Sequence, residues 1–329
     1  MRNTKSYTMD DIAEELGISK STVSRALAGS GRISEETRQK VENCAKQHGY
    51  KPNPVAKALA GQKTLNIACV MPLEATSLQM SFFHECLSGI VKSCSEEGYT
   101  VLVCMTGDEE NSSLENIITY RKVDAVILTQ LKKNDKNVEL LKNNSVPFVV
   151  IGSGAGEKIV QVDSKMRENC AEFTKKCAET LGERKNVLFV CGSLDVEANN
   201  NRLSGFFDGI EELNDDTVKQ AVCTDFNDLE DELTLSDWDL ILCSDDIVCT
   251  KVLNLLEEKK ILIGKQVKVA SFHDSVLLEL RKPSISALRV DGFKLGFQSA
   301  AAAIKLLSDS EYEMMNYVDC SFEMRASTR

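Results

Sequence analysis

The sequence predicts a small all-α head followed by an α/β body of two doubly wound parallel-sheet subdomains, and three observations predict it. Short amphipathic helices with capping residues and glycine stops fill the first fifty residues. Beyond residue 64, apolar strand-like runs alternate with amphipathic helices in two successive series. Charge divides at the same place: residues 1–63 hold eleven Lys and Arg against seven Asp and Glu, a net of +4, which leaves −15 for the rest of a 329-residue chain whose total is −11. A basic module on an acidic body suggests contact with a polyanion at one end only.

At 43% hydrophobic the chain can bury sizeable cores. Its twelve cysteines stand singly in apolar runs such as "NIACVMP" and "LILCSDD", with no CxxC, so they read as small buried hydrophobes in a reducing compartment. His48, His84 and His273 lie far apart and lack metal-ligand spacing, so neither a metal site nor a cofactor is expected. The start, "MRNTKSYTMDDIAEELG", has no apolar signal core, and nowhere do 18 apolar residues run together. We therefore expect a cytoplasmic protein with no membrane partner.

In the head, Thr8 precedes an acidic first turn, Ile12, Ala13 and Leu16 follow at helical spacing, and Gly17 ends the helix. Ser19 can cap a second helix with Val23, Ala26 and Leu27 inward and Lys20, Ser21, Ser24 and Arg25 turned away. A third runs from Ser34, with Val41, Cys44 and Ala45 inward, to Gly49. Helix, glycine turn and polar helix make a helix-turn-helix pattern. A helix in a DNA major groove needs hydroxyls for phosphates, a cation for base edges and an apolar back; Arg25 can bond guanine bidentately, and Lys20 and Ser21 would face bases. The plainer account, a solvated face, leaves the charge asymmetry unused. In "YKPNPVAKALAGQK", Pro52 stops the third helix, while Asn53 and Pro54 start a short one over about 53–61 that is unstable alone in water. Leu59 there would serve as a wedge between minor-groove base steps.

Residues 8–61 resemble the DNA-binding head and hinge of the lac repressor (LacI/GalR) family of bacterial transcription regulators, closely in "AEELGISKSTVSR" and again in "YKPNPVAKAL". The resemblance implies phosphate contacts at Ser19 and Thr22, operator-dependent contacts at Lys20 and Ser21, the family's arginine at Arg25 and its hinge leucine at Leu59. Thr8, Ser24, Asn53 and Ala56 complete the implied DNA-binding set. Ala28 departs from the asparagine many members carry.

The body opens with "TLNIACVMP", a helix at "FHECLSGIVKSCSEEG", "YTVLVCMT", a helix around "SSLENIITYRK", "VDAVILT", "VELLKNN" and "VPFVVIG". It restarts with "MRENCAEFTKKCAETLG", "NVLFVCG", "NRLSGFFDGIEELN", "KQAVC", "DLILCSD", "DIVCTKVLNLLEEK" and "QVKVASF". Ligands of such sheets sit beyond the carboxyl ends of strands, here in a cleft between subdomains. "VVIGSGAGEKIVQVD" spaces its glycines as GxGxG with a strand-like run behind, which reads as a connection rather than a dinucleotide site. No P-loop, GxSxG or HExxH occurs, and nothing sets a nucleophile beside the carboxylates of Asp245 and Asp246. No enzyme is expected.

The family resemblance continues through "VDAVIL", "VPFVVIG", "NNNRLSGF", "VKVASFHD" and "EMRASTR", essentially to the end of the chain. The family's effector core is similar to periplasmic sugar-binding proteins. That likeness implies a head and hinge over 1–63 and an effector-binding and dimerisation domain over 64–329, divided into 64–163 with 291–320 and 164–290 with 321–329. It also implies an effector site of Phe83, Asp163, Arg202, Phe226, Asp245 and His273. For Arg202 a structural ion pair is the competing account, for the two phenylalanines a core position, and for Asp245 a helix cap. Ser271 and His273 stand where the family usually has a glycine and a sugar-binding acid. A charged His273 beside Arg202 would favour an anionic sugar derivative over a neutral sugar. The expectation is a homodimeric repressor reading a pseudo-palindromic operator under control of a small-molecule effector, a sugar or sugar derivative. The alternative is a periplasmic-type binding protein without a DNA role, against which the basic head and the lack of a signal peptide argue.

Overall fold

The computed structural model describes residues 7–27, 33–50, 63–73, 80–107, 112–154, 156, 158–183, 185–235, 237–308 and 315–329, leaving aside the side chains of 112, 226, 234 and 235. Ala28, Asn53, Ala56, Leu59 and the helix expected over 53–61 lie outside those residues. The chain divides into two compact units, Met1–Leu65 and Asn66–Arg329.

The first unit holds α1 (Met9–Leu16), α2 (Lys20–Leu27) and α3 (Glu35–Gln47). Thr8 caps α1 in a capping box, its hydroxyl accepting the Asp11 N–H while the Asp11 carboxylate accepts the Thr8 N–H. Gly17 ends the helix at φ 62°, a left-handed conformation that side chains resist. Ser34 caps α3 by accepting the Thr37 N–H at 3.2 Å. Ile12, Val23, Ala26, Val41, Cys44 and Ala45 meet in one small core, so each helix contributes its apolar stripe to the same centre.

In the second unit β1 (Asn66–Pro72), α4 (Met80–Glu96), β2 (Thr100–Thr106), α5 (Ser112–Thr119), β3 (Ala125–Leu128), α6 (Lys136–Asn143), β4 (Phe148–Ile151) and β5 (Val160–Asp163) begin a parallel sheet. The chain then builds a second sheet from α7 (Met166–Ala178), β6 (Asn186–Val190), α8 (Glu197–Glu211), β7 (Lys219–Cys223), α9 (Phe226–Leu235), β8 (Leu240–Cys243), α10 (Asp246–Glu258), β9 (Lys268–Ser271), α11 (Val276–Glu279) and β10 (Ser286–Val290). It returns through α12 (Gly292–Leu306) and β11 (Met315–Tyr317) to the first sheet and ends with β12 (Cys320–Glu323) in the second. The strand orders are β11-β5-β4-β3-β1-β2 and β12-β10-β9-β8-β6-β7, with only the β10–β12 pair antiparallel. The chain therefore passes between sheets after Asp163, after Val290 and between Tyr317 and Cys320. The sequence reading places no element on α9, α11, β10, α12 or β11.

Strands β3, β4 and β8 are buried at every residue, as sheets covered on both faces require. In β1, Ile67, Cys69 and Met71 pack with α4 and α12, while Ala68 and Val70 face α5 and α6. In β6, Val187 and Phe189 face α7 and α8, whereas Leu188 and Val190 face α10. All twelve cysteines are free thiols and eleven are buried, in keeping with their reading as small hydrophobes. Helices α4 and α12 pack so closely that a Cβ on Gly296 would overlap the Cys86 carbonyl and one on Gly89 the Phe293 carbonyl. The "GSGAGE" connection is pinned where the Gly152 N–H donates to the Val162 carbonyl at 2.8 Å. Among the described residues no helix is long and apolar enough to cross a membrane.

Candidate functional site

Two surfaces gather the residues singled out in the sequence. On α2, Lys20, Ser21, Ser24 and Arg25 are exposed and Thr22 half-buried, because Val23 and Ala26 turn the opposite face into the core. Ser19 opens the helix with its hydroxyl accepting the Thr22 N–H at 3.2 Å and lying 2.8 Å from the hydroxyls of Ser21 and Thr22. Lys20 extends to Asp10 of α1 at 2.8 Å, whereas Arg25 has no ion-pair partner among the described residues. Thr8 is exposed and its hydroxyl also donates to the Asp11 carboxylate at 2.6 Å.

The second surface is a cavity of about 650 Å³ between the two sheets of the body. The first sheet presents Phe82 and Phe83 from α4 and Asp163 and Ser164 from the end of β5; the second presents Asn199 and Arg202 from α8, Asp245 and Asp246 at the start of α10, and His273 and Ser275 after β9. Five expected residues thus share one wall system: Phe83, Asp163, Arg202, Asp245 and His273. The side chain of Phe226, which opens α9, lies outside the described residues. Phe83 is mostly core, only 8% exposed, while its neighbour Phe82 sets its ring edge-on to the His273 imidazole with centroids 5.2 Å apart.

Each polar group has a different degree of freedom. Asp245 is the N-cap of α10, one oxygen accepting from the N–H groups of Ile247 and Val248 at 3.0 and 2.8 Å. The cap and the cavity wall are therefore one role divided between its two oxygens, the second of which accepts the Ser244 hydroxyl at 3.1 Å. Asp163 accepts the Met166 N–H at 3.2 Å, and burial pushes its carboxyl above the ordinary range. Arg202 donates to Asn199 Oδ1 at 3.0 Å and has no carboxylate partner among the described residues, so the ion-pair account of it does not hold. Among the described residues its buried Nε has no hydrogen-bond partner, nor do the buried hydroxyls of Ser164 and Ser275.

Burial, acting against the pull of Asp246, lowers the His273 imidazole below its ordinary value, which favours the neutral ring over a charged pair with Arg202. Ser271, in place of a glycine, shapes this turn: its hydroxyl donates to the His273 carbonyl at 2.8 Å and accepts the His273 N–H at 3.2 Å. The next residue, Asp274, pairs bidentately with Arg325 of the C-terminal segment. The two subdomains also join directly beside the cavity. Lys132 lies antiparallel to Val196, the Lys133 N–H donates to the Asp195 carbonyl at 2.8 Å, and the Glu197 N–H donates to the Leu131 carbonyl at 2.9 Å.

Sequence reasoning missed Phe82, Ser164, Asn199, Asp246 and Ser275 as cavity residues. Each adjoins or lies within three residues of one it selected, so the signal was local proximity to a strand end or helix start.

Residues 8–53 match the model of bacterial regulatory proteins, lacI family, and residues 180–328 that of a periplasmic binding protein-like domain. The chain is 28% identical over 313 residues to the HTH-type transcriptional regulator MalR of Staphylococcus xylosus, covering 91% of both chains. Its fold is similar to the lac repressor dimer bound to operator and the anti-inducer ONPF, with TM-score 0.78 at 18% identity over 98% of this chain and 99% of that one. It is also similar to a transcriptional regulator CelR–cellobiose complex, with TM-score 0.68 at 22% identity over 98% and 99% of the two chains.

Proposed function

Since the chain belongs to the lacI family of bacterial regulatory proteins, transcription regulators with a helix-turn-helix head and a periplasmic-binding-protein-like body, we propose that it is a repressor whose operator affinity is set by a neutral sugar held in the cleft. The carrying observation is the set of unpartnered buried groups on the cavity wall: Ser164 Oγ, Ser275 Oγ and Arg202 Nε. A buried polar atom without a partner costs about 1–3 kcal/mol, and a polyhydroxylated ligand supplies partners of the right kind. The volume suits a small oligosaccharide. Five acids on the wall, Asp163, Asp195, Glu197, Asp245 and Asp246, outnumber the cations Lys132, Lys133 and Arg202, which favours a neutral ligand over an anion, and a neutral imidazole at His273 offers one donor and one acceptor to hydroxyls. CelR, by its description, was solved with cellobiose, which supports a sugar as the class.

In this reading Phe82 or Phe83 packs on the sugar face, Phe226 adds an aromatic, and Asp163, Arg202, Asp245 and His273 orient hydroxyls. The DNA contacts fall to Thr8, Ser19, Lys20, Ser21, Thr22, Ser24 and Arg25, joined by Asn53, Ala56 and Leu59 of the hinge. A homodimer places two heads on a pseudo-palindrome, with the chain divided at about residue 63 and the body into 64–163 with 291–320 and 164–290 with 321–329. Cleft and operator are coupled by about 1–3 kcal/mol, the usual range for linked sites.

The test is to recover duplexes that the protein enriches from its source genome, then titrate it onto them at physiological salt with neutral and with phosphorylated sugars present. A neutral sugar should change operator affinity about 5–150-fold. A response confined to phosphorylated sugars would overturn the ligand class, and an absence of enriched sequence would overturn the operator role.

A further inference from the structure

The head contains a cluster in which one core residue, Cys44, meets two polar side chains that neither DNA contact nor core packing explains. Glu15 in the last turn of α1 and Cys44 and His48 at the end of α3 bring a carboxylate oxygen, Sγ and an imidazole nitrogen within 4.8 Å of one another. Cys44 and His48 are four residues apart, so the helix stacks them on one face, and Glu15 meets that face from the neighbouring helix. The imidazole is held in place: its ring stacks on Tyr7 with centroids 4.1 Å apart and 7° between planes, and Nε2 sits 3.1 Å from Glu15 Oε2. The Tyr7 hydroxyl donates to that same oxygen. Cys44 forms the floor at 5% exposure, while the side chains of His48 and Glu15 are 32% and 44% exposed. An ion can therefore approach from solvent onto a thiol lying beneath two surface ligands.

Thiolate, imidazole and carboxylate are the donors zinc prefers. Ligand atoms about 2.0–2.3 Å from a tetrahedral ion stand roughly 3.4 Å apart, so small side-chain rotations bring these three into range. We propose that Glu15, Cys44 and His48 form a binding site for a divalent transition ion of the zinc type, with the fourth position open to water. The ion would tie the end of α1 to the end of α3. Cys44 belongs to the same small core as Val23 and Ala26, so fixing it stiffens the support of α2, which carries Lys20 and Arg25. This inference does not depend on the sugar reading of the cleft.

The experiment uses full-length protein, reduced and stripped of metal, titrated with cobalt(II) as an optical stand-in and then with zinc. One equivalent of cobalt per chain should produce thiolate-to-metal charge-transfer absorption, which zinc removes. Cys44→Ser should abolish that absorption, His48→Gln and Glu15→Gln should each weaken binding at least tenfold, and Cys320→Ser, outside the head, should leave it unchanged. His48 and Glu15 are surface side chains, so their variants decide the matter even if Cys44→Ser folds poorly. No thiolate absorption at one equivalent, absorption that survives in folded Cys44→Ser, or wild-type affinity in both His48→Gln and Glu15→Gln would overturn the site. The cluster would then be a hydrogen-bonded staple only.

Discussion

Replacing Asp274 by asparagine removes one half of the ion pair that fastens the C-terminal segment to the second sheet. Arg325 donates from Nη1 to Oδ1 at 2.6 Å and from Nη2 to Oδ2 at 2.7 Å, and Nη1 also reaches the Ile285 carbonyl at 2.8 Å. The two side chains are 14% and 6% exposed, too dry for solvent to screen the loss. Removing one partner of a buried pair costs about 3–5 kcal/mol, because the other charge stays buried without compensation. Asparagine keeps one acceptor and Ile285 another, which places Asp274→Asn at the lower end, about 3 kcal/mol. Trp238, the chain's one tryptophan, packs against the core of the second sheet and reports its unfolding. With a urea slope of about 3 kcal/mol/M, the midpoint should fall by about 1 M. The double change Asp274→Leu with Arg325→Met should recover most of that, since an apolar pair leaves no orphan charge. A shift below about 0.2 M for Asp274→Asn, or a double variant no better than the single one, would refute this account.

Four other outcomes are expected. Gly296→Ala should lower stability by about 1–3 kcal/mol in thermal unfolding, because overlap with the Cys86 carbonyl outweighs the roughly 1 kcal/mol alanine adds to a helix. Because burial holds the His273 imidazole below its ordinary value of about 6.5, the unfolded chain takes the proton first. Stability should therefore fall as pH drops through that value, and His273→Gln should flatten this part of a urea-midpoint profile. Arg202→Met should weaken sugar binding about 10–100-fold in calorimetry, the worth of hydrogen bonds from a charged donor. Arg25→Ala should cost about 1–3 kcal/mol of operator affinity and relax preference at one base pair, read by competition between operator variants.

The head was legible almost residue by residue, since capping at Thr8 and Ser34, the glycine stop at Gly17 and the inward set Val23, Ala26, Val41, Cys44 and Ala45 are all local signals. The strands were legible for a similar reason: runs such as "VVI" and "LILC" are too apolar for anything but a doubly covered sheet. What the sequence withheld depends on contacts distant along the chain. The lowering of the His273 imidazole follows first from its burial in the cavity wall, which its neighbours in "ASFHDS" do not reveal. The proximity of Glu15 to Cys44 and His48 is not legible in the sequence because it joins the ends of two helices that only the fold brings together. Helix α9 was missed because "DFNDLEDELTL" is mostly acidic and shows only a thin apolar stripe at Leu229 and Leu233.

The short pairing of Leu131–Lys133 with Asp195–Glu197 includes two main-chain bonds, from the Lys133 N–H to the Asp195 carbonyl and from the Glu197 N–H to the Leu131 carbonyl. Those two bonds do not depend on which side chains flank them, proline apart. Serines, acids and the histidine on the neighbouring cavity wall can therefore change while the two halves stay joined by the same main-chain bonds. The lining of the cavity and the join between its two halves are thus separately mutable.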